Sequence, residues 1–115
     1  MSTQSVLDRH LQAFGDGDVE AAVADYAEDA IFISPRGAIL GGPAMRAVFE
    51  ELFSGLFRPG TYEFTMDGVT VEGDLAVIVW HATGERADVP FGTDTFVIRD
   101  DKIVRHTFAG QINPK

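Results

Sequence analysis

The sequence predicts an α+β domain, in which three N-terminal helices pack on an antiparallel β-sheet. At about Thr61 the spacing of apolar residues changes from the 3.6-residue period of a helix to the two-residue period of a strand. The strands after this point follow one another through short turns, which is typical of antiparallel pairing. The chain has 115 residues and is 45% hydrophobic, so we expect a single domain over residues 1–115.

Three helices are predicted in the first half of the chain. The first ends at the turn Gly15-Asp16-Gly17-Asp18, and its buried face consists of Leu7, His10, Leu11 and Phe14. The second is predicted over about residues 19–28. The third follows Pro43, which suits a first helical turn, and its broad apolar face consists of Met45, Val48, Phe49, Leu52, Phe53 and Leu56.

The strands are predicted from alternating apolar and polar residues. A short strand is expected at residues 30–33, before the turn Ser34-Pro35-Arg36-Gly37. Four longer strands are expected at about residues 62–71, 75–85, 91–99 and 102–109. Residues 77–80 are apolar on both faces of their strand. Because three helices cover only one face of the sheet, we expect the other face to be buried in a homodimer.

The composition excludes several function classes. The 9 basic and 18 acidic residues give a net charge of −9, which argues against binding to nucleic acid or to an anionic membrane. The absence of cysteine excludes disulfides, thiolate metal sites and a cysteine nucleophile. The longest apolar run, residues 75–80, is far shorter than the roughly 20 residues of a membrane span. The first ten residues show no secretion signal, and we expect a cytoplasmic protein.

Three segments carry a resemblance to a known family. They read GDGDVEAAVADYAEDAIF at residues 15–32, GGPAMRAVFEELF at 41–53 and DTFVIRDDKIVRHTF at 94–108. In order and content they resemble the NTF2-like superfamily, and most of all its SnoaL-like and ketosteroid-isomerase-like proteins. The resemblance covers nearly the whole chain and implies a cone, in which the curved sheet wraps the helices and leaves a pocket at one end. It implies no single function, since this fold serves both enzymes and binding modules.

Asp94 is the first candidate catalytic residue. It shares a strand face with Phe96 and Ile98, which are expected to point at the helices. A carboxyl group withdrawn from water there needs hydrogen-bond donors, or it becomes a neutral acid. The resemblance places Asp94 at the aspartate that donates a hydrogen bond to the substrate oxygen in ketosteroid isomerases. The alternative is an aspartate near a strand end that is solvated or bonded to backbone.

His10 is the second candidate catalytic residue, because the resemblance places it at the oxyanion-hole tyrosine of the isomerases. A neutral imidazole can donate one hydrogen bond in its stead. The alternative is a histidine at the edge of the core that bonds a backbone carbonyl. The candidate ligand-binding residues are Tyr26, Phe53, Trp80, His106 and Phe108. The resemblance matches Tyr26 to a tyrosine that supports the pocket network in related proteins, although Tyr26 and Trp80 also suit plain core packing. Alternation leaves open whether Trp80 or His81 faces the pocket. The three histidines are too scattered to predict a metal site.

The pairing of the last two strands allows two arrangements. A strict two-residue turn at Asp100-Asp101 puts Phe96 opposite Arg105, which could then hold Asp94 in an ion pair. The alignment implied by the resemblance instead needs a bulge near the turn. That bulge would direct His106 and Phe108 into the pocket.

Two classes of function follow from these residues. The first is a cofactor-free isomerase, lyase or cyclase that acts on a small, largely apolar carbonyl or hydroxyl compound. The second is a non-catalytic module that binds a ligand or a protein partner.

Ser34 stands where the isomerases carry their general-base aspartate. A serine hydroxyl without an activating base cannot move a proton between carbons, which argues against steroid Δ5-isomerase activity.

Overall fold

A curved six-stranded sheet with helices packed on one face positions every candidate residue. The computed structural model describes residues 2–115. The helices are α1 (Thr3–Asp16), α2 (Val19–Ala24) and α3 (Met45–Ser54), with one turn of 3-10 helix at Gly42–Ala44 before α3. The strands are β1 (Tyr26–Ser34), β2 (Gly37–Leu40), β3 (Tyr62–Glu72), β4 (Leu75–Gly84), β5 (Ala87–Arg99) and β6 (Lys102–Pro114).

The strand order is β2-β1-β6-β5-β4-β3, and this architecture confirms the predicted fold class. Strands that are consecutive in sequence pair antiparallel. The neighbours β1 and β6 are parallel, which the prediction of a purely antiparallel sheet did not include. The crossover through α3 leads from β2, which is antiparallel to β1, to β3, and the crossover makes β2 and β3 run in the same direction. The chain then reverses three times between β3 and β6, so β6 runs in the direction of β1.

The second helix is shorter than predicted. It ends at Ala24 instead of about residue 28, and β1 begins at Tyr26. The backbone explains the difference: the amide of Ile103 donates to the carbonyl of Asp25 at 2.8 Å, and Tyr26 pairs with Ile103. Pairing with β6 therefore prevails over the helical spacing of the apolar residues.

The turn at residues 34–37 joins two strands, whereas the sequence predicted only the end of one. Ser34 pairs with Gly37, so β1 and β2 form a hairpin. Gly37 has a φ of 119°, a conformation that a side chain would strain. The short strand β2 was missed because its four residues are too few to show a period.

The last hairpin combines a two-residue turn with a bulge. Asp100 and Asp101 have φ values of 51° and 62°, as a tight hairpin turn requires. A shift of register beyond the turn then places Phe96 opposite His106. Arg105 is exposed, and its guanidinium donates to the carbonyl of Val104. The structure thus selects the bulged arrangement.

The alternation along β4 places Trp80 and His81 on opposite faces. Trp80 is buried on the helix-bearing face, and His81 is half-exposed on the other face, where it contacts Asp67 at 2.8 Å.

No helix within residues 2–115 is both long enough and apolar enough to cross a membrane.

Close packing fixes the indole ring of Trp80. Gly92 lies opposite Trp80 on β5, and a methyl group at Gly92 would come within 2.6 Å of the ring. We expect G92A to lower the free energy of unfolding by about 1–3 kcal/mol, because a tightly packed position does not accept an extra methyl group. Chemical denaturation measures the change. The control is G68A, since a methyl group at Gly68 meets nothing within 4 Å; equal stabilities of the two variants would contradict the packing argument.

Candidate functional site

A cavity of about 840 Å³ lies between α1, α3 and the helix-bearing face of the sheet. Its wall is mostly apolar and includes Leu11, Phe14, Leu52, Phe57, Phe64 and Phe108. The buried or nearly buried side chains of His10, Asp94 and His106 bring titratable groups to the same wall. The other charged residues of the lining are exposed: Arg36, Glu51, Arg86 and Lys115. An apolar cavity with a few convergent polar groups is the usual form of a small-molecule site.

Asp94 is held by both neighbouring strands. Its side chain is only 14% exposed. Trp80 on β4 donates its indole N–H to Oδ1 at 2.8 Å, and His106 Nε2 on β6 lies 2.7 Å from Oδ2. Each carboxylate oxygen therefore has a protein partner and retains a second lone pair for another contact. The expected rival arrangement, an ion pair with Arg105, is absent because the bulge turns Arg105 to the opposite face.

His106 is the buried partner of Asp94. Burial lowers the pKa of His106 below its usual value, and although the hydrogen bond to Asp94 and its charge oppose this effect, they do not overcome it. The imidazole ring stacks on Phe96 with 4.1 Å between ring centroids, which fixes its orientation. At neutral pH the ring consequently carries a single proton, on either of its two nitrogens.

His10 reaches the cavity from α1, and its partners are side chains. Nδ1 lies 3.0 Å from Asp25 Oδ2, and Nε2 lies 3.3 Å from the hydroxyl of Tyr26. The alternative expectation of a bond to a backbone carbonyl therefore does not hold. His10 and Asp94 line the same cavity, but Tyr26 and His106 connect them in place of a direct bond.

Asp25 is a member of this polar cluster that the sequence analysis missed. Its side chain is 3% exposed and accepts from Arg9 Nε at 2.7 Å as well as contacting His10. Burial alone would raise the pKa of Asp25, but the hydrogen bonds and charges of His10 and Arg9 outweigh it and lower the pKa. The available signal was His10 on the buried face of α1, because a buried imidazole requires a hydrogen-bond partner.

Tyr26 and Phe53 lie behind the cavity wall and are not among the residues that line it, which for Tyr26 agrees with a supporting position next to the polar cluster. The Tyr26 hydroxyl sits 2.9 Å from His106 Nδ1, and burial together with the charges of Asp94 and Asp25 raises its pKa well above the usual value. Phe53 packs edge-on against Phe14, so it supports the wall. The other three predicted ligand-binding residues, Trp80, His106 and Phe108, do line the cavity.

Ser34 also lines the cavity, at the end of β1. Its hydroxyl oxygen accepts from the backbone N–H of Arg36 at 3.2 Å, as in many tight turns. Within the described residues no carboxylate or imidazole bonds this hydroxyl. Nor do residues 2–115 bring together three carboxylate or imidazole groups that could hold a metal ion.

Several solved structures share the fold. The epoxide hydrolase/cyclase-like enzyme SalBIII, which acts in pyran ring formation in the polyether salinomycin, superposes with a TM-score of 0.80 at 14% identity, over 98% of this chain and 95% of that one. A candidate ketosteroid isomerase from Kribbella flavida gives 0.77 at 18% identity, over 95% and 77%. An NTF2-like protein of unknown function from Burkholderia xenovorans gives 0.74 at 22% identity, over 95% and 84%.

At these identities the superpositions show a common fold and leave the reaction open. A search among curated proteins found no match. The sequence pattern that defines the SnoaL-like domain, however, matches residues 7–106, which include every residue of the polar cluster from Arg9 to His106. The chain therefore belongs to the SnoaL-like domain family.

Proposed function

We propose that the cavity binds a small, largely apolar compound with a carbonyl or hydroxyl group, and that Asp94 moves a proton on that compound. This assigns the protein to the cofactor-independent isomerases, lyases or cyclases. The proposal depends on one observation above all: a carboxylate almost withdrawn from solvent lies in the wall of a mostly apolar cavity, and each of its two oxygens contacts a ring nitrogen of Trp80 or His106.

The surroundings of Asp94 suit a proton acceptor with a fixed direction. Trp80 and His106 belong to the strands on either side, so neither oxygen can turn without losing a partner. The other carboxylate among the described lining residues, Glu51, is exposed, so Asp94 is the carboxylate shielded from water that a bound hydroxyl or an acidic C–H can reach. The oxygen of a ligand is therefore expected to lie next to Asp94, and the apolar part of the ligand is expected to contact the apolar side chains of the cavity.

The three reaction types share their first step. A proton leaves a hydroxyl group, or a carbon next to a carbonyl, and forms a bond to an Asp94 oxygen; the electron pair stays on the ligand. In an isomerase, Asp94 then returns the proton to another carbon of the ligand. In a lyase, the electron pair forms a C=C bond, the C–O bond to a hydroxyl group breaks, and Asp94 protonates the leaving oxygen. In a cyclase, the electron pair forms a bond to a carbonyl carbon of the same ligand, the C=O π bond breaks, and Asp94 protonates the resulting oxyanion. The fold shared with a cyclase-like enzyme supports this proposal without identifying the substrate.

Exchange of carbon-bound hydrogen tests the first step directly. We expect the protein to accelerate the exchange of the α-hydrogens of 2-tetralone in D2O, followed by NMR, and D94N to lose about 10²–10⁴-fold of that acceleration. The matched control is D67N, because Asp67 also contacts a histidine, His81, at 2.8 Å, but on the exposed opposite face with 43% of its side chain accessible. D67N should retain the wild-type rate.

The same experiment separates catalysis from binding. Trp80 is the only tryptophan and lines the cavity, so its fluorescence reports 2-tetralone binding. Saturable quenching without accelerated exchange would favour the non-catalytic binding module. Exchange that D94N retains would contradict the role of Asp94, even if 2-tetralone binds.

We predict no steroid Δ5-isomerase turnover at a level typical of the ketosteroid isomerases. By the resemblance, that reaction needs one group on the ketone oxygen and a separate base that carries a proton between two carbons. Ser34 stands at the position of the base, and its oxygen accepts a turn N–H. A direct assay with androst-5-ene-3,17-dione decides the matter; robust turnover would show that another residue supplies the base.

A second proposal concerns the sheet face opposite the helices, which we expect to bind a second copy of the chain. A row of uncharged side chains crosses five strands of this face: Ile33, Thr107, Thr95, Val77 and Thr70. Ile33 is 49% exposed. Asp67, His81 and Arg105 lie on the same face outside this row, so the uncharged row is where two copies that each carry a charge of −9 can meet without repulsion at the contact. A cytoplasmic location stays a prediction.

Sedimentation tests the dimer. The wild type should sediment as a dimer at micromolar concentration. V79E should shift it to a monomer, since Val79 on β4 lies on this face opposite Thr93 of β5 and a charge there would be buried in the dimer. A47E adds the same charge at an exposed position of α3 and should stay dimeric. A wild-type monomer would contradict the proposal.

A further inference from the structure

We infer that His10 stores a proton for Asp94, and that Tyr26 and His106 relay it. Four contacts connect Asp25, His10, Tyr26, His106 and Asp94 in that order, at 3.0, 3.3, 2.9 and 2.7 Å. The use of this relay rests on the proposed function of Asp94. Its existence is a property of the ligand-free protein and can be tested separately.

The first end of the relay is fixed by Asp25. Its lowered pKa keeps this carboxyl ionised at neutral pH, and a carboxylate only accepts hydrogen bonds. Nδ1 of His10 faces Asp25 Oδ2 at 3.0 Å and must therefore carry a hydrogen. The open question for His10 is whether Nε2 carries a second hydrogen, which would make the ring a cation.

The middle of the relay is fixed by Tyr26. Its strongly raised pKa keeps the single hydroxyl hydrogen in place, yet the hydroxyl faces two ring nitrogens, His10 Nε2 and His106 Nδ1. One hydrogen serves only one of them. The other nitrogen must then donate to the Tyr26 oxygen, since two lone pairs do not attract each other.

Three arrangements satisfy every contact, but one of them makes the buried His106 a cation that donates from both nitrogens, which desolvation opposes. Two arrangements remain. In the first, Tyr26 donates to His106 Nδ1, His106 donates from Nε2 to the Asp94 carboxylate, and His10 is a cation that donates from both nitrogens. In the second, Tyr26 donates to His10 Nε2, His106 donates from Nδ1 to Tyr26, and neutral Asp94 donates to His106 Nε2. Both arrangements keep His106 neutral, as its lowered pKa requires.

The two arrangements contain the same number of protons. Three bonds to hydrogen break, at His10 Nε2, the Tyr26 oxygen and His106 Nε2. Three form in the same direction, at the Tyr26 oxygen, His106 Nδ1 and Asp94 Oδ2. The net result is that one positive charge disappears from His10 and one negative charge from Asp94, without a proton entering from solvent.

The surroundings of His10 suit a proton store. The anionic Asp25 stabilises the cationic ring, and Arg9 balances Asp25 from the partly exposed side, with 41% of its side chain accessible. The relay residue Tyr26 lies behind the cavity wall, out of reach of a ligand. Asp94 can thus switch between base and acid while a ligand seals the cavity against water.

The test is ¹⁵N NMR of histidine-labelled protein at neutral pH, where ring nitrogens with and without hydrogen are resolved. In the wild type, with and without 2-naphthol, the fraction of His10 that lacks hydrogen on Nε2 should equal the fraction of His106 that carries hydrogen on Nδ1. If adding 2-naphthol changes these fractions, the change should be half complete at the same 2-naphthol concentration for both rings. Y26F should abolish this equality, whereas Y62F, at the only other tyrosine, should preserve it.

Two results would overturn the relay. One is a neutral His10 beside a His106 protonated on Nε2 in the wild type, because the stored proton would then be missing. The other is persistence of the equality in folded Y26F. The first of these results is read from the wild-type spectrum alone, so the relay is tested even if Y26F fails to fold. If the protein does not accelerate α-hydrogen exchange but the two histidine fractions are equal, the proposed function is refuted and the relay is not. If the protein accelerates exchange but the two fractions differ, the relay is refuted and the proposed function is not.

Discussion

The contact between His106 and Asp94 is the interaction on which the site depends. It joins adjacent strands across the inner face of the curved sheet, at 2.7 Å and with both side chains largely removed from water. A polar pair in such a place is costly unless every remaining donor and acceptor is satisfied. Trp80 and Tyr26 meet that requirement from either side.

The same requirement extends to the whole cluster. Tyr26 contacts His10, and His10 contacts Asp25. Asp25 in turn accepts from Arg9, whose side chain is partly exposed. No buried side-chain nitrogen or oxygen within residues 2–115 lacks a partner. A cluster that is fully satisfied holds each ring and carboxylate in one orientation, which a proton acceptor in a cavity needs.

The sequence was sufficient to predict the helices, the sheet and the inward orientation of Asp94, because these follow from local periodicity. It could not place His106, whose orientation depends on one extra residue in the last hairpin. Asp25 was assigned to a helix because its neighbours keep helical spacing, and only pairing with β6 ends that helix. Features that depend on register or on contacts distant in sequence were the ones missed.

A crystal structure of the protein with 2-naphthol bound is the most direct test of the central claim that Asp94 receives the polar group of an apolar ligand. The account predicts the naphthol oxygen within about 2.6–3.2 Å of an Asp94 carboxylate oxygen, with the rings among the apolar side chains and the contacts to Trp80 and His106 retained. A naphthol bound outside the cavity, or one whose oxygen turns away from Asp94, would contradict it.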